Sequence, residues 1–161
     1  MCLALAVGHG DSPLARLAGP SPIVQAEHVA LIGRRDQSEP SYGHAALAVS
    51  GILDLPDPAI RPELVAATVS STLARIGRSE LSGFWILVDA DVLDPGVMPA
   101  VGSPEPGGPG IDELAALLGP LANHPSALGI ATTLYDPSLD QDRSCAERLV
   151  KLLVAASGWE P

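Results

Sequence analysis

Apolar residues along this chain fall into short continuous runs separated by breaks, with helical periodicity between them. Residues 28–33 (H-V-A-L-I-G) form one such run, the pattern of a strand buried on both faces, and residues 84–88 form the strongest. Residues 51–55 and 127–135 read as further strands, the last closed by Asp136-Pro137. The spacing predicts a helix over 58–77, with Pro62 tolerated in its first turn and a buried stripe of Leu64, Val65, Thr68, Val69, Leu73 and Ile76. A second helix is predicted over 112–121, its inner face marked by Ile111, Leu114, Ala115 and Leu118. The last spans 140–156, with an acidic start and Leu149, Leu152 and Leu153 turned inward. Residues 11–18 fit one or two helical turns before Gly19-Pro20, and residues 38–43 are turn-rich.

Strands alternating with helices, and apolar runs in place of strict alternation, indicate an α/β fold on a parallel sheet. About four strands are recognisable, fewer than the usual five or six. No repeat, heptad pattern or low-complexity tract is present. A length of 161 residues suits one domain, and 47% hydrophobic residues with positive mean hydropathy argue for a packed core over disorder. Aromatics are only 3%, so that core is built from Leu, Val, Ile and Ala. A formal net charge of −10 argues against nucleic acid or an anionic membrane as partner. Cys2 and Cys145 have neither CxxC nor zinc spacing, which suits a reducing cytoplasm. The opening M-C-L-A-L-A-V is too short to span a membrane, and without a basic start it does not read as a signal peptide.

The chemistry concentrates in W-I-L-V-D-A-D-V-L-D-P, where a buried strand runs into Asp89 and Asp91. Ligands in open parallel sheets sit beyond the carboxyl ends of the strands. Two carboxylates this close repel unless a cation or proton lies between them, and hard divalent ions such as Mg²⁺ or Mn²⁺ suit their oxygens. Strand alternation would point both side chains to one side. The plainer reading makes them turn or capping residues. Haloacid-dehalogenase-like phosphatases also carry D-x-D after an apolar strand, but near the chain start and with a downstream lysine. Here the motif is central, and Lys151 is the only lysine. The run P-E-P-G-G-P-G matches neither phosphate-binding glycine pattern.

The longer segment V-D-A-D-V-L-D-P-G-V-M-P-A-V-G-S-P-E-P-G-G resembles the arginase/ureohydrolase family (arginase, agmatinase, formimidoylglutamase). There D-x-D-x-L-D-P, a proline-rich turn and P-x-P-G-G follow in that order. V-A-L-I-G-R-R-D is similar to the family's I-G-x-R-D, and L-G-I-A-T-T-L-Y-D-P-S-L to its final strand. The resemblance covers residues 1–157. It implies the C-terminal half of a three-layer fold, a parallel sheet flanked by helices, so that residues 1–161 form a single partial domain. It also implies that Asp89 and Asp91 are ligands of a binuclear Mn²⁺ centre. The metal pair would generate hydroxide for attack on a small amidine or guanidine. Asp94 would fix the turn, and Gly107-Gly108 would let the backbone turn tightly.

Two departures qualify that expectation. The family's Gly-Gly-Asp-His and Asp-Ala-His-x-Asp motifs do not occur. His9-Gly10-Asp11 has the wrong order, and His28, His44 and His124 lack ligand spacing with the aspartates. His28 is expected to begin a strand, and His44 and His124 to lie in loops or at helix ends. In the last strand Leu134 stands where the family holds a guanidinium with glutamate, and Ser38 where it has acidic side chains. The simpler reading of Leu134 is a core residue. With two carboxylates the chain is expected to be inert on its own. The rival is a non-catalytic assembly module, a homo-oligomer or half of a pair with a complementing chain, because missing strands would expose a parallel-sheet edge.

Overall fold

The structure, a computed structural model, describes residues 2–9, 13, 19, 22–36 and 44–158. The expected turns over 11–18, the turn-rich stretch 38–43 and Ser38 lie outside these residues, Pro13 apart. The chain opens with the short helix α1 (Cys2–Ala6). Strand β1 (Ala30–Ile32) follows a 3-10 turn over Ala26–His28, so His28 ends a turn and does not begin the strand. Helix α2 (His44–Val49) leads to β2 (Leu53–Leu55), which pairs parallel with β1.

The helix predicted over 58–77 is divided. A 3-10 turn takes Asp57–Ile60, Arg61 is extended at φ −62° and ψ 146°, and α3 runs over Pro62–Ile76. The cause is Pro62, whose ring disfavours helical geometry in the residue before it. Along α3 the buried positions are Thr68 and Thr72, whereas Leu64 is exposed. Thr68 donates to the Ala59 carbonyl at 2.7 Å, tying α3 to the preceding turn.

Strand β3 (Phe84–Asp89) pairs parallel with β4 (Ala127–Thr133). Between them α4 (Ile111–Ala122) buries Leu114, Leu117, Leu118 and Leu121, and Glu113 reaches back to accept from the Gly110 amide at 2.8 Å. The strand predicted over 127–135 stops early because Leu134 takes a left-handed conformation, φ 64°; Tyr135 instead forms an antiparallel bridge with Val101.

The last helix, α5 (Ser144–Ser157), starts four residues later than the apolar pattern predicts. Asp140 is the reason. Its carboxylate accepts from the amides of Cys145 at 3.1 Å and Ala146 at 2.8 Å, and from the Tyr135 hydroxyl at 2.8 Å. It therefore caps the helix from outside it.

Helices α3, α4 and α5 form one layer, and β3 turns Phe84 and Val88 into it. Met98, Leu152 and Ala156 are fully enclosed in the resulting core. The opposite face of β3 carries Trp85 and Leu87, 67% and 65% exposed, and no described helix covers it. The α/β class with parallel strands is as the sequence indicates. Among the described residues, four strands form two separate pairs, β1 with β2 and β3 with β4.

Burial acts to raise the pKa of Asp140, but the amides of Ala146 and Cys145 and the Tyr135 hydroxyl outweigh it and lower the carboxyl. A lowered carboxylate stabilises the fold above its unfolded pKa, near ~3.9, and that contribution is lost as pH falls through the folded value. Asp140→Ala is expected to lower Tm at pH 7 by roughly 3–6 °C. The gap to the parent chain should narrow below about pH 4. An unchanged Tm at pH 7 would contradict the capping account.

Candidate metal-binding site

Asp89 is the last residue of β3, and its exposed carboxylate accepts a short hydrogen bond from the Thr133 hydroxyl at the end of β4. Asp91 lies one residue further on, in the 3-10 turn Ala90–Val92. It is this turn, not strand alternation, that positions the second carboxylate. Between the two, Ala90 is fully buried, so the turn is anchored by its middle while the acidic residues flank it.

Arg35 supports the turn from another part of the chain. Its guanidinium donates to the carbonyls of Val92, Asp91 (2.6 Å) and Glu105 (3.2 Å). Gly108, at φ 102°, passes so close that a Cβ there would collide with the Arg35 guanidinium and lie 2.5 Å from the Val92 carbonyl oxygen. Only glycine suits that position. The Asp94 side chain accepts from the Gly96 amide at 2.7 Å, and its own amide donates to the Pro109 carbonyl at 3.1 Å. The proline-rich loop is thus closed on itself, with Asp94 fixing its first turn as the sequence suggests.

Burial pushes the Asp91 carboxyl up, the charge of Asp89 pushes it further, and Arg35 pulls it back; the net direction is upward. The two carboxylates therefore interact, and the site favours added positive charge. Among the described residues, no group of three or more His, Cys, Asp or Glu is placed to hold a metal ion.

Leu134 follows Thr133 at the same end of β4. It is 54% exposed, which corrects its simpler reading as a core residue. Left-handed backbone is strained for a bulky side chain. The Asp136 amide bonds to the Ala100 carbonyl at 2.9 Å, so the proline-rich loop and the end of β4 are joined next to Leu134.

The histidines lie elsewhere in local structure. His124 follows α4, accepts from the Ser126 amide and packs on Phe84 at a ring separation of 5.7 Å. His44 begins α2, and His9 is exposed after α1; Gly10 and Asp11 lie outside the described residues. Lys151 is exposed in α5, on a surface with Arg143, Glu147 and Val150. Arg35 and Thr133 are the supporting residues the linear pattern did not single out. The only signal for Arg35 was its place in R-R-D directly after an apolar run.

The family model described as the Arginase family matches residues 7–157. Arginase from Brevibacillus brevis is 27% identical over 158 residues, which are 98% of this chain and 52% of that protein. The chain thus spans about half the length of the curated relative it matches. The crystal structure of arginase from Bacillus subtilis superposes with a TM-score of 0.86 at 25% identity, covering 99% of this chain and 55% of that one. Formimidoylglutamase from Bacillus subtilis gives 0.75 at 25% identity, over 84% of this chain and 42% of that one.

A carboxyl whose pKa is raised on folding stabilises only while protonated, and that contribution is lost as pH rises through the folded value. Asp91→Asn is therefore expected to raise Tm at pH 7 in metal-free buffer by about 1–3 °C. The gain should vanish near pH ~3, where Asp91 of the parent chain is itself protonated. A lower Tm for the variant at pH 7 would contradict the electrostatic reading.

Proposed function

Because the chain belongs to the arginase family, we propose that it contributes two metal ligands to a hydrolase of C–N bonds in linear amidines or guanidines. Residues 1–161 act in this reading as one partial domain of the family fold. The observation that carries the reading is the interacting pair Asp89 and Asp91 at the carboxyl end of β3. Their oxygens suit Mn²⁺, and a bound cation would relieve their mutual repulsion. When bound, a Mn²⁺ pair would lower the pKa of a shared water and so supply a nucleophile.

The chain's own residues orient the ligands. The Thr133 hydroxyl donates to Asp89 and limits its rotation, while Arg35 holds the backbone directly after Asp91's side chain through the Asp91 and Val92 carbonyls. Leu134 lies at the same strand end and forms part of the substrate pocket. A leucine offers nothing to pair with a cation, so we infer that it favours an amidine whose charged end is held elsewhere, or a less polar one.

Two carboxylates leave the remaining coordination to water, so binding by this chain is weak and the chain alone is inert toward amidines. No helix among the described residues is long and apolar enough to cross a membrane. With Cys145 a free, buried thiol, the cytoplasm is the compartment we assign.

Titration of the purified chain with Mn²⁺, followed by loss of the free-ion electron paramagnetic resonance signal, tests this proposal. Dissociation constants on the order of 0.1–1 mM are expected. Asp89→Ala and Asp91→Ala should each weaken binding at least ~10-fold. Binding unaffected by either substitution would overturn the ligand assignment. Metal-dependent urea release from arginine by the chain alone, abolished in Asp89→Ala, would overturn its inertness.

A further inference from the structure

Two non-glycine residues among those described take positive φ: Arg143, just ahead of α5, and Leu134, at 64°, directly after the Thr133 that holds Asp89. The contacts on either side of Leu134 show what holds it there. Thr133, the last residue of β4, pairs with Asp89 in the parallel ladder and donates its hydroxyl to the Asp89 carboxylate. Immediately beyond Leu134, Tyr135 bridges Val101 in the antiparallel sense, and the Asp136 amide donates to the Ala100 carbonyl at 2.9 Å. Residues 133–136 therefore grip both ends of the segment 89–101, the acidic turn at its start and the proline-rich loop at its close. Leu134 is the corner between the two grips.

The segment it grips is anchored in the core, where Ala90, Leu93, Met98, Ala100 and Val101 are all buried. The Tyr135 hydroxyl is fixed on Asp140, itself 5% exposed and bonded to the amides of Cys145 and Ala146 in the first turn of α5. Thr133 is the last rung of its ladder, so the backbone of residue 134 is what fixes its far side. An extended residue 134 would carry the strand on beside Ala90 and Asp91, and the bridge from Tyr135 to Val101 would be lost. The left-handed angle turns the chain away after Thr133, at the cost of strain in a residue as bulky as leucine.

We propose that Leu134 is a positioning residue for the candidate metal site: its left-handed backbone, set by the two grips, aims the Thr133 hydroxyl at Asp89. This role belongs to the backbone and is separate from the place of the leucine side chain in the pocket. Substitution separates the two. Asparagine is polar and tolerates the left-handed region, whereas valine is apolar but β-branched and resists it. If apolarity at residue 134 supports Asp89, valine replaces leucine better than asparagine does; if the corner supports it, asparagine is the better replacement. The effect on metal rests on the assignment of Asp89 as a ligand. The effect on Thr133 does not.

The test compares Leu134→Asn with Leu134→Val in the purified chain by two readouts. Three-bond couplings to the Thr133 methyl carbon report its χ1 rotamer without metal, and Mn²⁺ titration followed by electron paramagnetic resonance reports the ligands. Expected is one Thr133 rotamer in the parent chain and in Leu134→Asn, and rotamer averaging in Leu134→Val. Mn²⁺ should bind the valine variant about 10-fold more weakly than the asparagine variant, the loss expected when a ligand loses its supporting hydrogen bond. Exchange of the Asp136 amide should quicken in the valine variant, because its bond to Ala100 lies across the corner. Equal Mn²⁺ affinities, the reverse order, or averaging of Thr133 in Leu134→Asn overturns the proposal. Should Leu134→Val fail to fold, the Thr133 rotamer in Leu134→Asn decides alone: one rotamer supports the corner, and averaging overturns it. Absence of Mn²⁺ binding by the parent chain overturns the metal assignment instead, and the couplings still decide whether the corner aims Thr133.

Discussion

The guanidinium of Arg35 is the contact on which the rest of this structure depends. It leaves the end of β1 and closes on backbone carbonyls beyond β3, joining two strand pairs that share no ladder among the described residues. A planar fork with several donors suits that task, because one side chain satisfies the carbonyls of Asp91, Val92 and Glu105 at once. The turn it holds is the one bearing Asp91. The same contact that unites the strand pairs thus sets where the second carboxylate stands. Gly108 is bound to this arrangement by exclusion, since any side chain there would displace the guanidinium.

The acidic pair gains its character from how unequally its members are placed. Asp89 ends a strand, exposed, and is held by Thr133; Asp91 sits in the following turn, half-buried, under the field of its neighbour. The result is a site whose charge is costly until a cation or proton arrives. Leu134 is held at a left-handed backbone angle at the end of the adjoining strand, between the Thr133 that holds Asp89 and the Tyr135 bridge to Val101. A strained position of this kind persists only where surrounding contacts over-determine it.

The opposite face of β3 and β4 is equally telling. Trp85 lies across Gly129, where a Cβ would collide with its ring, and Leu87 stands beside it in the open. Contiguous exposed apolar side chains on a sheet mark a surface built to be covered. Together with β1, whose three residues are only partly buried, they leave apolar strand surface that the described residues do not cover.

Much of this was legible in the linear pattern. The runs at 28–33 and 84–88, the stripes of α4 and α5, and the carboxylates after β3 are local features, and local periodicity determines them. The D-x-D-x-L-D-P segment and its glycines likewise declared a tight acidic turn. The tertiary structure alone decided the rest, because each remaining feature depends on contacts that periodicity does not encode. Asp140 left the predicted helix to cap it with its own carboxylate, which the Tyr135 hydroxyl also holds, and Leu134 broke its strand where the next residue bridges to Val101. Arg35 found its partners 56 and 57 positions away. Periodicity reports which face of an element is apolar. It carries no information about which element stands next to it, and here that neighbourhood defines the site.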